Sequence, residues 1–211
     1  MGLLVAIPAS AAQAAHPRSR LAAGYVLRAA PASSTASATF KVPKLSCTAT
    51  TTGVGAGASI VTSSGVAAAS IAVLACFLGS PLYTVAVEVG SNSPASTITP
   101  KAGDTISVKV SSSAASSRAT ITDVTQNKSQ SVSGGGHKNA KTVLGMAADS
   151  AQVPVSNFGT VRFSAGRIDG KAVRASGAIA VDMANGANVL QVLTGALNST
   201  GAGWSETFKH A

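Results

Sequence analysis

The chain has 211 residues, 45 % of them hydrophobic and only 11 % charged. That length gives one domain, or one domain with a leader, and so little charge excludes a charge-rich disordered chain and a long coiled coil. The formal charge of +9 comes from 16 Lys and Arg against 7 Asp and Glu. Most cations stand singly, as at Lys101, Lys109, Arg118 and Lys128, and aromatic residues make up 4 % of the chain. Nucleic-acid binding, which asks for clustered cations and stacking aromatics, is not expected. A mild attraction to anionic polymers or surfaces is compatible with the charge.

Residues 1–14 carry a short apolar stretch, Leu3 to Pro8, and the small-x-small triplet Ala12-Gln13-Ala14. They read as a signal peptide without its positive n-region, with an Ala-rich tail as the alternative. Residues 15–37 contain Pro17, Gly24, Pro31, Ala and Ser runs, and Arg18, Arg20 and Arg28. This composition reads as a linker or pro-segment, which leaves 38–211 as the folded domain. No other stretch offers about 20 uninterrupted apolar residues, so no transmembrane helix is expected.

From residue 38 onward the pattern has period two. Phe40 and Val42 alternate with Thr39 and Lys41; Val85, Val87 and Val89 with Thr84, Ala86 and Glu88; Ile106, Val108 and Val110 with Thr105, Ser107 and Lys109. Such alternation is that of half-buried strands. Further strands are expected near 69–77, 118–124, 129–133, 141–147, 160–165, 178–183, 189–194 and 204–209. The apolar run Val66–Leu78 reads as a buried strand, because it is rich in Val and Ile and has no polar face. Asn127 and the pair Asp169-Gly170 are suited to tight reversals. Ten or more short strands with short connections make an all-β sandwich or barrel. Cys47 and Cys76 are the only cysteines. In an exported protein they are most simply one disulfide. His16, His137 and His210 lack metal-ligand spacing, so neither a metal nor any other cofactor is expected.

Several segments, taken in order, resemble the glutamic peptidases, the eqolisin family of secreted acid endopeptidases. They are Thr39-Phe40-Lys41-Val42-Pro43, Pro81-Leu82-Tyr83 leading to Val87-Glu88-Val89, Ala102 to Val108, Ala119 to Val132, and Val155-Ser156-Asn157-Phe158-Gly159-Thr160-Val161-Arg162-Phe163. The resemblance implies a concanavalin-A-like sandwich of two curved antiparallel sheets with a substrate cleft on the concave face. In that family a Glu acts as general base on the attacking water, and a Gln amide holds the water and stabilises the oxyanion.

This chain departs from the family where that chemistry resides. The segment that should close on the catalytic Glu reads Asn139-Ala140-Lys141-Thr142-Val143-Leu144-Gly145, with Gly145 in the acid's place. Counting back from Tyr83 puts the Gln position at or beside Ala72, and there is no Gln between residues 14 and 125. The Trp and Asp of the family's aromatic subsite are missing from Gly53-Val54-Gly55-Ala56-Gly57. Only Glu88 matches an active-site acid, one beside the dyad, and it is equally readable as an ordinary exposed acid. Asp104, Asp123 and Asp169 fall in turn contexts, where a carboxylate commonly satisfies backbone N–H groups. Asp149 and Asp182 have no recognisable partner. His137 follows Gly134-Gly135-Gly136, read as a flexible hairpin connection, and no nucleophile elbow accompanies it. Trp204 and Tyr83 read as core residues, with a carbohydrate platform as the alternative.

The expectation is therefore a secreted, monomeric, non-catalytic sandwich that binds an extended extracellular polypeptide or polysaccharide. One alternative is an acid endopeptidase using displaced residues that include Glu88. The other is a cell-surface structural or adhesion module.

Overall fold

A computed structural model describes residues 15–28, 33–63, 65–137, 140–148 and 153–210. The leader expected at 1–14 lies outside them, as do Asn139 and Asp149. The N-terminal strands are β1 (Arg18–Ser19), β2 (Ala22–Leu27), β3 (Ser33–Lys41), β4 (Thr52–Thr62), β5 (Gly65–Phe77) and β6 (Ser80–Glu88). The middle of the chain supplies β7 (Thr105–Ser113), β8 (Ser116–Asp123), β9 (Lys128–Gly135) and β10 (Lys141–Ala147). Then follow β11 (Thr160–Ile168), β12 (Lys171–Ala172), the helical turn α1 (Val173–Ser176), β13 (Ile179–Ala184), β14 (Leu190–Thr194) and β15 (Trp204–Phe208). None of the described helical residues forms a segment long and apolar enough to cross a membrane.

Two layers pack face to face. One runs β6-β5-β4-β10-β2-β13, the other β14-β15-β11-β3-β7-β8-β9, and β13 joins them by pairing with both β2 and β14. Neighbours within the layers are antiparallel. Alternation decides which side of each strand is buried. Ile106, Val108 and Val110 of β7 point inward against β5, with its buried Ala68, Ala72 and Leu74, and Ala36, Ala38 and Phe40 of β3 point inward against β4 and β10. Each fully buried branched side chain contributes about 1.5–3 kcal/mol, and this interlayer contact holds the sandwich together. The turns follow their residues: Asn127, Asp169 and Gly170 take φ of 53°, 50° and 74°, values that short polar residues and glycine tolerate.

Three expectations need correction. Residues 15–37 are not a linker ahead of the domain. Within them, β2 is an interior strand hydrogen-bonded to β10 on one side and β13 on the other, and β3 begins at Ser33. Its Ala-Ala-Gly start carries no strand signal. Packing imposes the strand there, with Tyr25 buried and its hydroxyl donating to the Gly195 carbonyl at 3.0 Å. Strand β4, which opens Thr-Gly-Val-Gly-Ala-Gly-Ala-Ser, also escaped the pattern because glycine hides one face of the alternation. Lastly, Gly134 and Gly135 end strand β9 instead of forming a loop: a β-carbon on Gly134 would sit 2.7 Å from Val89 Cγ1.

Cys47 and Cys76 form a disulfide across a sequence separation of 29, pinning the β3–β4 connection to the end of β5. Closing such a loop stabilises by about 3.5 kcal/mol in the chain-entropy model. Cys47→Ser with Cys76→Ser is accordingly expected to lower the urea midpoint by about 1–2 M, given a slope of roughly 2–3 kcal/mol/M. An unchanged midpoint would show that the bridge does not constrain the unfolded chain.

Candidate functional site

Family resemblance places any cleft chemistry on the outer face of the β6-β5-β4-β10-β2 layer, and cross-strand register identifies what occupies it. In β5, Ser70, Ala72, Leu74 and Cys76 are buried inward, so Ile71, Val73 and Ala75 point out. Ile71 lies opposite Gly57 of β4 and Ala86 of β6; Gly57 lies opposite Gly145 of β10; Gly145 lies opposite Gly24 of β2. Reading across the strands, the centre of this face is thus Ala86, Ile71, Gly57, Gly145 and Gly24. Val73, Gly55 and Ala147 flank it on one side, and Ser59 and Val143 on the other. The floor is apolar and close to backbone level. A depression on it holds about 10 Å³, between Gly57, Ser59, Ile71, Val143, Gly145 and Ala147, hardly space for a single water.

Ala72 therefore points away from this face into the core, at 1 % exposure. The residues beside it that do face out, Ile71 and Val73, carry no amide. Gly145 does lie on the face, but no side chain fits there. Its φ is 148°, and a β-carbon would collide with the Ala23 carbonyl oxygen and come within 2.7 Å of Gly24 Cα. Gly24, at φ 126°, returns the constraint, since its own β-carbon would strike the Leu144 carbonyl. Two glycines thus let β2 and β10 approach where a side chain would separate them. Glu88 is on the same face, half-buried on the edge strand β6 and opposite Ala69. Three strand spacings, about 14 Å, separate its strand from β10. Lys141 is exposed at the start of β10.

Carboxylates converge at two other places. Gln126 Nε2 donates to Asp104 Oδ2 at 2.8 Å, to Asp123 Oδ2 at 3.0 Å and to the Thr99 carbonyl at 3.0 Å. Two acids and an amide are the chemical types a hydrolase uses, but here they close turns. Asp104 accepts the Lys101 N–H, Asp123 accepts the Gln126 N–H, and Asp123 has no exposed surface. Burial pushes the Asp104 carboxyl up, but the hydrogen bonds from Gln126 and the Lys101 N–H outweigh it and hold the group below its usual range. Asp169 likewise accepts the Thr35 N–H at 2.7 Å.

The second convergence was not anticipated. Glu206 of β15 is fully buried, with Oε1 accepting the Trp204 Nε1–H at 2.7 Å and Oε2 3.0 Å from the Thr194 hydroxyl oxygen. That hydroxyl has a single proton, and the Val181 carbonyl lies nearer, at 2.6 Å, while the Gly24 N–H donates into Thr194 Oγ1 at 2.9 Å. A protonated Glu206 would donate to Thr194 and leave the threonine proton for the Val181 carbonyl. Burial pushes the Glu206 carboxyl well above its usual range against the pull of its hydrogen bonds, and the Asp182 charge adds to the rise. Asp182 accepts the Thr194 N–H at 2.9 Å and pairs with His16 at 3.0 Å, so His16 belongs to the domain and not to a leader. One cue was available: Trp204-Ser205-Glu206 in a strand puts tryptophan and acid on one side. The partners from residues 16, 24, 182 and 194 gave none.

Trp204 is core, stacked on Phe163 with centroids 4.8 Å apart and edge-on to Tyr25 at 5.3 Å. Tyr83 accepts the Leu45 N–H through its hydroxyl at 3.1 Å. His137 donates its backbone N–H to the Ser113 carbonyl. Among the described residues no three His, Cys, Asp or Glu side chains gather into a metal-binding group.

The family model described as Peptidase A4 family matches residues 20–202. Among solved structures, scytalido-glutamic peptidase with a peptide-based transition-state analogue is similar at TM-score 0.68 and 20 % identity, over 89 % of this chain and 97 % of that one. SCP-B, described as a member of the eqolisin family and solved with the tripeptide Ala-Ile-His, gives 0.64 and 19 % over 89 % and 97 %. Aspergilloglutamic peptidase from Aspergillus niger gives 0.57 and 20 % over 75 % and 99 %. At these identities the likeness establishes the fold. No curated protein sequence matches the chain.

Proposed function

The chain belongs to the Peptidase A4 family, and from that membership and the geometry of its outer face we propose that it is a secreted, non-catalytic member that holds an extended polymer, peptide or glycan, against β6-β5-β4-β10-β2. One observation carries the reading: at Gly145 the backbones of β2 and β10 close the space a catalytic acid would need. Peptide hydrolysis through an activated water requires a carboxylate to take the proton and a donor where the oxyanion forms. Ile71, Val73, Gly57 and Gly145 supply neither. A face of glycine, alanine and valine instead leaves backbone-level room along the strands for a chain to lie down. The disulfide supports an oxidising compartment.

The test is incubation of the protein with denatured casein from about pH 2 to pH 7, the acidic range in which a carboxylate-based site would work, with fragments read by mass spectrometry. No fragments above background are expected, and immobilised casein should retain the wild type more strongly than Val73→Arg. Reproducible cleavage that disappears in Glu88→Gln would overturn the reading in favour of an acid endopeptidase. Glu88 earns that alternative its place because it is the acid on this face among the described residues.

A further inference from the structure

The opposite side of the molecule, the outer face of β9-β8-β7-β3-β11, has a different chemistry. Register lines up Arg167 of β11, Ser37 of β3, Lys109 of β7, Thr120 of β8 and Ser131 of β9 in one row across five strands. Arg118 lies one row away beside Ser111, and it donates to Ser131 Oγ at 3.3 Å. The remaining outward positions of these strands are almost all serine or threonine. Lys109, Ser111, Arg118 and Thr120 line a trough of about 340 Å³.

Among the described acids, Asp169 alone is exposed. Asp104, Asp123, Asp182 and Glu206 are buried, and Glu88 belongs to the other layer. Asp169, in the turn at the β11 rim, is held by the Thr35 N–H. Every described Lys and Arg, by contrast, is exposed. The field outside the described part of the molecule is therefore more cationic than a count of residues suggests, with Asp169 at the rim as the exposed acid beside this sheet.

We propose that this face is a docking surface for an extended carboxylated polysaccharide. Five exposed cations, Lys41, Lys109, Arg118, Arg162 and Arg167, spaced among many hydroxyls match a sugar polymer that offers one carboxylate and several hydroxyls per unit. Arginine forks and lysine engage the carboxylates, and serine and threonine both donate to and accept from the sugar hydroxyls. A nucleic acid fits less well: Trp204, Tyr25, Phe40, Phe158 and Phe163 are all buried, so this side presents no platform on which bases could stack. The site is separate from the face of the other layer and does not depend on the reading proposed for it.

The experiment measures retention on immobilised polygalacturonate across a salt gradient, with fully methyl-esterified polygalacturonate, dextran and single-stranded DNA as parallel matrices. Wild type should be retained on the free-acid polymer alone. Lys109→Ser with Arg118→Ser should weaken binding about ten-fold and lower the salt slope by roughly two units. Lys109→Glu with Arg118→Glu should abolish retention, while Arg20→Ser with Lys44→Ser, outside the strands of this face, should leave it unchanged. An unaltered melting temperature separates lost binding from lost fold, and these exposed positions are expected to pass that check. Equal retention on the methyl ester, tighter binding to DNA, or unchanged retention of the Lys109/Arg118 variants would each overturn the proposal.

Discussion

Glu206→Gln is expected to melt at the wild-type temperature in acid and above it at neutral pH. The amide copies a protonated carboxyl: its oxygen accepts from Trp204 Nε1 and its N–H donates to Thr194 Oγ1, the two contacts Glu206 makes. The sign follows from the raised folded pKa. Stability from a neutral buried acid is complete below the ordinary glutamate value of about 4.3. It declines as pH rises toward the folded pKa, at about 1.4 kcal/mol per pH unit, because only the unfolded chain has released the proton. The amide has nothing to release and should lack the decline. Asp104 has the opposite sign: its carboxyl is held low, so what it contributes is present above its unfolded value and fades in stronger acid, in a separate window. Glu206→Leu, which strands the Trp204 N–H in the interior, should cost about 3 kcal/mol in acid, roughly 6–12 °C in a chain of this size, a margin that narrows as pH rises because leucine has no proton to release. Melting curves that stay parallel from about pH 4 to pH 8 for wild type and Glu206→Gln would mean the acid is ionised in the fold.

The second large effect is at Gly145. Replacing it with the glutamate that the family resemblance expects should not create a peptidase; it should damage the sandwich. A residue other than glycine at φ 148° is strained by about 1–3 kcal/mol, and its β-carbon must also displace the Ala23 carbonyl of the neighbouring strand. A combined loss of about 3 kcal/mol or more is expected, read as a fall of roughly 6 °C or more in melting temperature. Gly145→Ala should show most of the same loss, because the obstacle is the first carbon of the side chain and not the charge. If Gly145→Glu folds with wild-type stability, or acquires acid cleavage of casein, the packing argument at Gly145 fails, because β2 must then be able to move aside.

Much of the architecture was legible because the cause is local. Period-two alternation in β3, β6, β7 and β8 reports directly which side each residue buries. Asn127 and Asp169-Gly170 state their turns, and the two cysteines found each other. The candidate site was legible where a residue type alone excludes a role: glycine at 145 cannot accept a proton in any fold. Counting along the chain placed the amide position only at or beside Ala72, and one residue exchanges the inside of a strand for the outside.

What the amino-acid order determined, then, is an all-β chain, its strand faces and its family likeness. Tertiary structure alone decided that β2 and β4 are strands, since glycine and alanine carry no alternation and are recruited by the close approach of neighbours. It alone also assembled the buried acid, because His16, Gly24, Asp182, Thr194 and Glu206 come from opposite ends of the chain. Whether a carboxyl is charged depends on water and partners that only the completed fold removes or supplies.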